Sequence, residues 1–248
     1  MALETSNARR PAVSCGLEPR IAMSSVAVLI PAYNCAATIA DVVTGARHYV
    51  DRVLVVDDGS TDGTAERAAV AGADVLHQGH NTGKGAALRA GLTWWAARGA
   101  EQVLAMDGDG QHLADQIPVM LEASARAPHA LIIGARQLDP AAVQPLRQFG
   151  NRFANRWVEI ATGLALEDTQ SGFRVYPLPE TLALDSRATH FAYETEVLIR
   201  AARGGLLVLT VPVRAYNPPP AERVSHYRPF VDTVRIIAVV LRLIIFRR

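Results

Sequence analysis

A chain of 248 residues, 50% hydrophobic and 20% charged, has enough apolar material for a large α/β core and is far from the composition of a disordered segment. Its 25 basic and 24 acidic residues leave a formal charge of +1, which argues against the whole-molecule field of a nucleic-acid binder. With only Cys15 and Cys35 present, neither a disulfide framework nor a thiolate metal site is expected, and a reducing compartment fits.

Residues 1–24 read as a flexible leader without the apolar run of a secretory signal, and Met23 offers an alternative start. Strand-like and helix-like stretches then alternate, the pattern of βαβ units in a mainly parallel sheet. Strands are predicted at Val26 to Ile30, Arg52 to Val56, Asp74 to His77, Gln102 to Met106 and Ala130 to Gly134. Helices are predicted at Ala36 to Ala46, Thr64 to Ala71, Lys84 to Arg98 and Ala114 to Ala125, where Ala, Leu, Arg and Glu favour them. Past residue 140 come a long helix, Pro145 to Thr162, a loop holding Gln170-Ser171-Gly172-Phe173-Arg174, a helix near Glu194 to Arg203 and a strand, Leu206 to Val213. Asn217-Pro218-Pro219-Pro220 stiffens the path to a C-terminal segment.

In open α/β sheets ligands bind beyond the carboxyl ends of strands, and three such ends carry unusual polar sequences. The first runs into Pro31-Ala32-Tyr33-Asn34, the second into Asp57-Asp58-Gly59-Ser60-Thr61-Asp62, and the fourth into Asp107-Gly108-Asp109-Gly110-Gln111-His112. Asp107 and Asp109 stand two apart in a glycine-flanked loop that can aim both carboxylates at one point, with Gln111 as a third oxygen. Hard oxygen donors of this kind favour Mg²⁺ or Mn²⁺; an exposed Asx turn is the alternative. One of Asp57 and Asp58 can accept hydrogen bonds from a base or ribose, whereas Asp62 suits a helix cap. Lys84, in Asn81-Thr82-Gly83-Lys84-Gly85, opens a helix and suits an anion. Gln78 and Gly85 stand where a Walker A motif needs Gly and Ser or Thr, so a P-loop is not expected.

Taken in order, P-A-Y-N, D-D-G-S-T-D-G-T, N-T-G-K-G-A-A-L-R-A-G, D-G-D-G-Q-H and D-T-Q-S-G-F-R resemble a family 2 glycosyltransferase over residues 24 to 230. The nearest branch is the dolichol-phosphate mannosyltransferase and polyprenyl-phosphate glycosyltransferase group. The resemblance implies a GT-A type α/β fold, a mainly parallel central sheet flanked by helices, over residues 25–222, and an acceptor loop and membrane-associating amphipathic helix over 223–248. It implies that Pro31, Tyr33 and Asp57 or Asp58, with Asn34 beside them, bind the nucleoside of a GDP- or UDP-linked sugar, with Lys84 also on the donor side. Asp107, Asp109 and Gln111 would hold the metal at the diphosphate. Arg136, Arg147 with Asn151, and Arg174 match positions lining the acceptor side, and Arg223, Ser225 and Arg228 match an acceptor loop. Guanidinium groups there suit a lipid phosphate. Two departures stand out: Cys35 where relatives often have Glu, and Asn151 where this branch often has Ser.

The implied reaction is transfer of a hexose, with inversion, to a polyprenyl phosphate or another membrane acceptor. An ionised phosphate needs no base; a hydroxyl acceptor would need one, and Glu194 or Glu196 is the candidate, unless both merely complement a helix N-terminus. A scaffold that binds nucleotide without turnover is the remaining reading. In the C-terminal segment Arg235 and Arg242 fall on one helical stripe among apolar residues and shorten the run below a membrane span. An interfacial helix with Arg247 and Arg248 near anionic lipid is expected, or else packing on the core or another subunit. The expected location is the cytoplasmic face of the cell membrane, peripherally bound.

Overall fold

The computed structural model describes residues 25–137, 145–217 and 229–245, with the backbone alone at 145–149 and 229–231. Seven strands form one sheet: β1 (Val26–Ala32), β2 (Val53–Asp57), β3 (Asp74–His77), β4 (Gln102–Ala105), β5 (Leu131–Gln137), β6 (Arg174–Pro177) and β7 (Val208–Arg214). The helices are α1 (Ile39–Arg47), α2 (Thr64–Val70), α3 (Lys84–Ala96), α4 (Ile117–Arg126), α5 (Pro145–Thr162), α6 (Leu178–Ala183), α7 (Ala192–Arg203) and α8 (Pro229–Ile245). A 3₁₀ turn, Ala114–Gln116, leads into α4.

The order across the sheet is β3-β2-β1-β4-β6-β5-β7. All neighbours are parallel except β6, which runs antiparallel between β4 and β5. The sheet is therefore mainly parallel and flanked by helices, as expected, with one reversal. That reversal was not legible: Arg174 was expected at the end of a loop and no strand was expected after it, since a four-residue strand leaves no period to read. Helix α6, which follows it directly, was likewise not foreseen.

Alternation along β1 divides the core in two. Val26, Val28, Ile30 and Ala32 face a cluster with Ile39 and Val43 of α1 and Met120 of α4. Ala27 and Leu29 face the opposite cluster with Leu88 and Leu92 of α3 and Val197 and Leu198 of α7. Burial on both faces explains why these strands read as continuous apolar runs. A third, smaller cluster joins α5, α7 and α8 through Ala161, Ile199, Ile236, Val240 and Leu243.

Helix α8 thus has its buried face on the protein. Its arginines turn inward too: Arg235 pairs with Asp232 at 3.1 Å and Arg242 with Glu196 at 2.7 Å. Val234, Leu241 and Ile245 are exposed on the opposite side. Of the two alternatives for this segment, packing on the core is realised on one side of the helix. No helix of the described residues is long and apolar enough to cross a membrane.

Candidate active site

The carboxyl ends of β1, β2 and β4 share one rim because these strands are parallel and in register, Ala32 opposite Asp57 and Leu29 opposite Ala105. Beyond this rim lies a cleft of about 650 Å³. Pro31, Tyr33, Asp58, Lys84, Asp107 and Asp109 line it, as do Cys35, His190, Phe191, Asp232 and Arg235. Six candidates from four separate sequence blocks therefore converge on one cavity.

The two neighbouring aspartates after β2 part company. Asp57 points back to the rim, accepting from the Ser60 N–H at 3.1 Å and meeting His77 Nδ1 at 3.3 Å. Asp58 faces the cleft and accepts from the N–H groups of Thr82 and Gly83 at 2.8 and 2.7 Å, which holds the entrance to α3 in place. Gly59 permits this turn: its φ is +79°, and a Cβ there would stand 2.7 Å from the His80 backbone. Asn34 ties the first loop to the second by accepting from the Thr61 N–H at 2.9 Å, so its side chain organises the rim. Asp62 precedes the N-cap of α2, which is Gly63 rather than Asp62, and accepts from the N–H of Thr64, the first helical residue, at 3.1 Å.

Lys84 is not a free anion-binding cation. Its Nζ lies 2.6 Å from Asp107 Oδ1 and 3.2 Å from Glu194 Oε1, the second an ion pair without hydrogen-bond alignment. Burial would lower the Lys84 pKa, but the two carboxylates outweigh it and hold the ammonium charged. Burial would likewise raise Asp107; the charge of Lys84 reverses that and holds it low. For Asp109, burial and the charge of Asp107 act together and push its carboxyl well above the usual range. The loop thus carries more negative charge than its neighbours neutralise. Gln111 donates to Asp109 from its main-chain N–H at 3.0 Å and from its amide at 2.7 Å.

His112 was not singled out from sequence, although it closes the same loop. It is buried, accepts from the Asp107 N–H at 3.0 Å and stacks on Phe173. Burial pushes its pKa down to about 4, so the neutral ring orients the Asp107 backbone. Cys35 lies beneath the loop: a Cβ on Gly108 would stand 2.9 Å from its sulfur.

Three expectations change. Arg174 is fully buried and does not line an acceptor surface; its guanidinium donates to the carbonyls of Ser171, Glu194 and Thr169 at 2.7 to 2.8 Å. A charge so placed is satisfied by carbonyl dipoles and braces the D-T-Q-S-G-F-R segment against α7. Glu196 also lies away from the cleft, fully buried, accepting from the N–H groups of Arg187 and Ala188 and from Arg200 and Arg242. Glu194 remains beside Asp107 through Lys84, but neither glutamate lines the cleft. Arg136 is gripped by Asp168 in a two-pronged pair, Nε at 2.7 Å and a terminal nitrogen at 2.8 Å. Asp168 was not anticipated; it holds a φ of +46° to make this contact. Asn151 is half-buried on α5, while the side chain of Arg147, with Arg223, Ser225 and Arg228, lies outside the described residues.

The model of the glycosyl transferase family 2 matches residues 27–176, which contain β1 through β6 and every cleft block up to Gly172. The chain belongs to this family. Among similar proteins, glycosyltransferase AglJ of Haloferax volcanii is 36% identical over 211 residues, covering 84% of this chain and 68% of that protein. Polyprenol monophosphomannose synthase of Mycolicibacterium smegmatis is 32% identical over 202 residues, covering 75% of each. In three dimensions the family 2 chain superposes on glucosyl-3-phosphoglycerate synthase of Mycobacterium tuberculosis with a TM-score of 0.71, at 23% identity, covering 94% of this chain and 84% of the other. That structure is a complex with Mn²⁺, UDP-glucose and phosphoglyceric acid. The likeness establishes the GT-A fold that the sequence resemblance implied.

Proposed function

We propose that this family 2 enzyme transfers a hexose, with inversion, from a nucleotide diphosphate sugar to a polyprenyl phosphate at the cytoplasmic face of a membrane. One observation carries the reading: Asp107 and Asp109 stand in the same cleft as Tyr33 and Asp58, where a metal, a diphosphate and a nucleoside can be held side by side.

The donor set fits a divalent cation. Among the described residues no group of three or more His, Cys, Asp or Glu side chains forms a closed metal cage. Two carboxylates with surplus negative charge, the Gln111 amide and the oxygens of a diphosphate suit Mg²⁺ or Mn²⁺, which usually keep water or substrate ligands. When bound, such an ion supplies Lewis-acid stabilisation of the departing nucleoside diphosphate. The chain's own residues do the rest. Asp58 fixes the loop before α3, Lys84 keeps Asp107 ionised, and His112 fixes the backbone of Asp107.

Two further observations support the acceptor. Glu194 is engaged by Lys84 and Glu196 by four donors, so neither lines the cleft as a base for a hydroxyl; an ionised phosphate needs none. The polyprenol named for the Mycolicibacterium relative agrees. Membrane attachment is supported by the exposed apolar stripe of α8 (Val234, Leu241, Ile245) and by exposed Phe153 and Ile160 on α5 and Leu164 just after it.

The test is a transfer assay with purified protein, Mn²⁺ or Mg²⁺, UDP- and GDP-sugars, and polyprenyl phosphate in detergent. Glycosylated lipid that requires both metal and lipid phosphate, and is lost in Asp107→Ala and Asp109→Asn, is expected. Donor binding without any lipid product would overturn the acceptor assignment.

A further inference from the structure

The charges on α8 remain unexplained by a role at the membrane. Apart from them the helix is apolar, and a surface helix of this kind would present its arginines to lipid headgroups. Here they face the protein. At the far end Arg242 is bound to buried Glu196, and Arg203 donates to the carbonyl of Leu243, which fixes the helix to α7. At the near end Asp232, only 3% exposed, pairs with Arg235, and both line the cleft that holds Asp107 and Asp109.

The charge balance of the cleft shows why this matters. Its lining contains the carboxylates of Asp58, Asp107, Asp109 and Asp232 and the cations Lys84 and Arg235. Lys84 is held between Asp107 and Glu194. Arg235 differs: its side chain is 42% exposed, one terminal nitrogen donates to Asp232, and its other donors have no protein partner among the described residues. Asp232 anchors one terminal nitrogen of the guanidinium, on a side chain that lines the cavity. A guanidinium presented in that way suits two oxygens of one phosphate group.

We propose that Arg235 is a phosphate-binding residue of the active site, supplied by the second turn of α8, and that Asp232 is its positioning residue. This rests on the reading that the cleft takes phosphorylated substrates. Helix α8 then acts on both sides: its outer stripe is free for a membrane, and its inner turn forms a wall of the site. The phosphate is that of the donor diphosphate or of the acceptor.

The experiment compares wild type with Arg235→Ala, Arg235→Lys and Asp232→Asn in the full chain. Calorimetry with Mn²⁺ measures the affinity for UDP and GDP against the corresponding nucleosides, and steady-state assays give KM for donor and for lipid phosphate. Loss of a charge-assisted phosphate contact predicts a weakening of roughly 10- to 100-fold for Arg235→Ala. If the donor supplies the phosphate, diphosphate affinity and donor KM suffer while nucleoside affinity does not; if the acceptor does, only lipid phosphate KM rises. Arg235→Lys keeps the charge without the fork and should lose less, which covers the case where the alanine variant does not fold. Asp232→Asn should shift the same parameter in the same direction by a smaller factor. Both phosphate parameters staying within twofold in Arg235→Ala and Arg235→Lys, or equal weakening for nucleosides and diphosphates, would overturn the proposal and leave the enzyme assignment intact. A wild-type chain that binds no phosphorylated ligand would overturn the underlying reading and this inference together.

Discussion

Replacing Lys84 by Met tests whether the cleft is organised by charge. Lys84 Nζ lies 2.6 Å from Asp107 and 3.2 Å from Glu194, with side-chain exposures of 14%, 28% and 6% respectively. At an effective dielectric constant of about 20 these contacts are worth about 6 and about 5 kcal/mol of gross Coulomb energy. Desolvation of each ion offsets several kcal/mol, so the net value of the triad is small, yet removing only the cation leaves Glu194 buried and unneutralised at a cost of about 3–5 kcal/mol. Asp107 is partly hydrated, which favours the lower end. For a domain of this size, about 3 kcal/mol corresponds to a fall in Tm of roughly 6–12 °C. Thermal and urea melts of metal-free Lys84→Met should show it, and adding Glu194→Gln should restore roughly half, because the neutral amide needs no counter-charge. A single variant within about 1 kcal/mol of wild type, or no recovery in the double variant, refutes the reasoning.

Gly172→Ala places a Cβ 2.6 Å from Lys84 Nζ and 2.7 Å from Asp107 Oδ2, so metal-dependent nucleotide affinity should fall by about 1–3 kcal/mol in calorimetry while the fold persists. Without metal, Asp109 binds its proton more tightly folded than unfolded, because burial and Asp107 push its pKa up to about 6. Its contribution to stability is therefore full below the ordinary carboxylate range and is lost as pH rises through about 6. Melts in chelator at pH 4.5 and 7.5 should show this loss, on the order of 1–3 kcal/mol, and Asp109→Asn should abolish it. In Cys15→Ser, the remaining Cys35 should resist alkylation at pH 8 until denaturant is added, since burial pushes its thiol up to about 12; full labelling of the native protein would contradict its place beneath Gly108.

Much of the donor side was legible because its residues sit directly after buried parallel strands. The period-free apolar runs marked the strands, and topology brought their ends to one rim, so Tyr33, Asp58, Lys84, Asp107 and Asp109 met as expected. The acceptor side was less legible. Arg136 and Arg174 were read as free guanidinium groups, but their charges are consumed by Asp168 and by three carbonyls. Nothing in a linear sequence distinguishes an arginine that faces a ligand from one that braces a loop: Asp168 lies 32 residues from Arg136, and one of the three carbonyls that hold Arg174 is on helix α7, 20 residues on.

By itself the sequence determined the alternation of strands and helices, the metal-type loop after β4 and the family, since each rests on local spacing and hydrophobic period. Only the tertiary structure decided what opposes what. It inserted β6 antiparallel into the sheet, separated Asp57 from Asp58, placed Glu196 in the interior and turned Arg235 of α8 toward the cleft. These are outcomes of long-range charge pairing and desolvation: a buried ionic group must find a partner, and the fold determines which one is within reach.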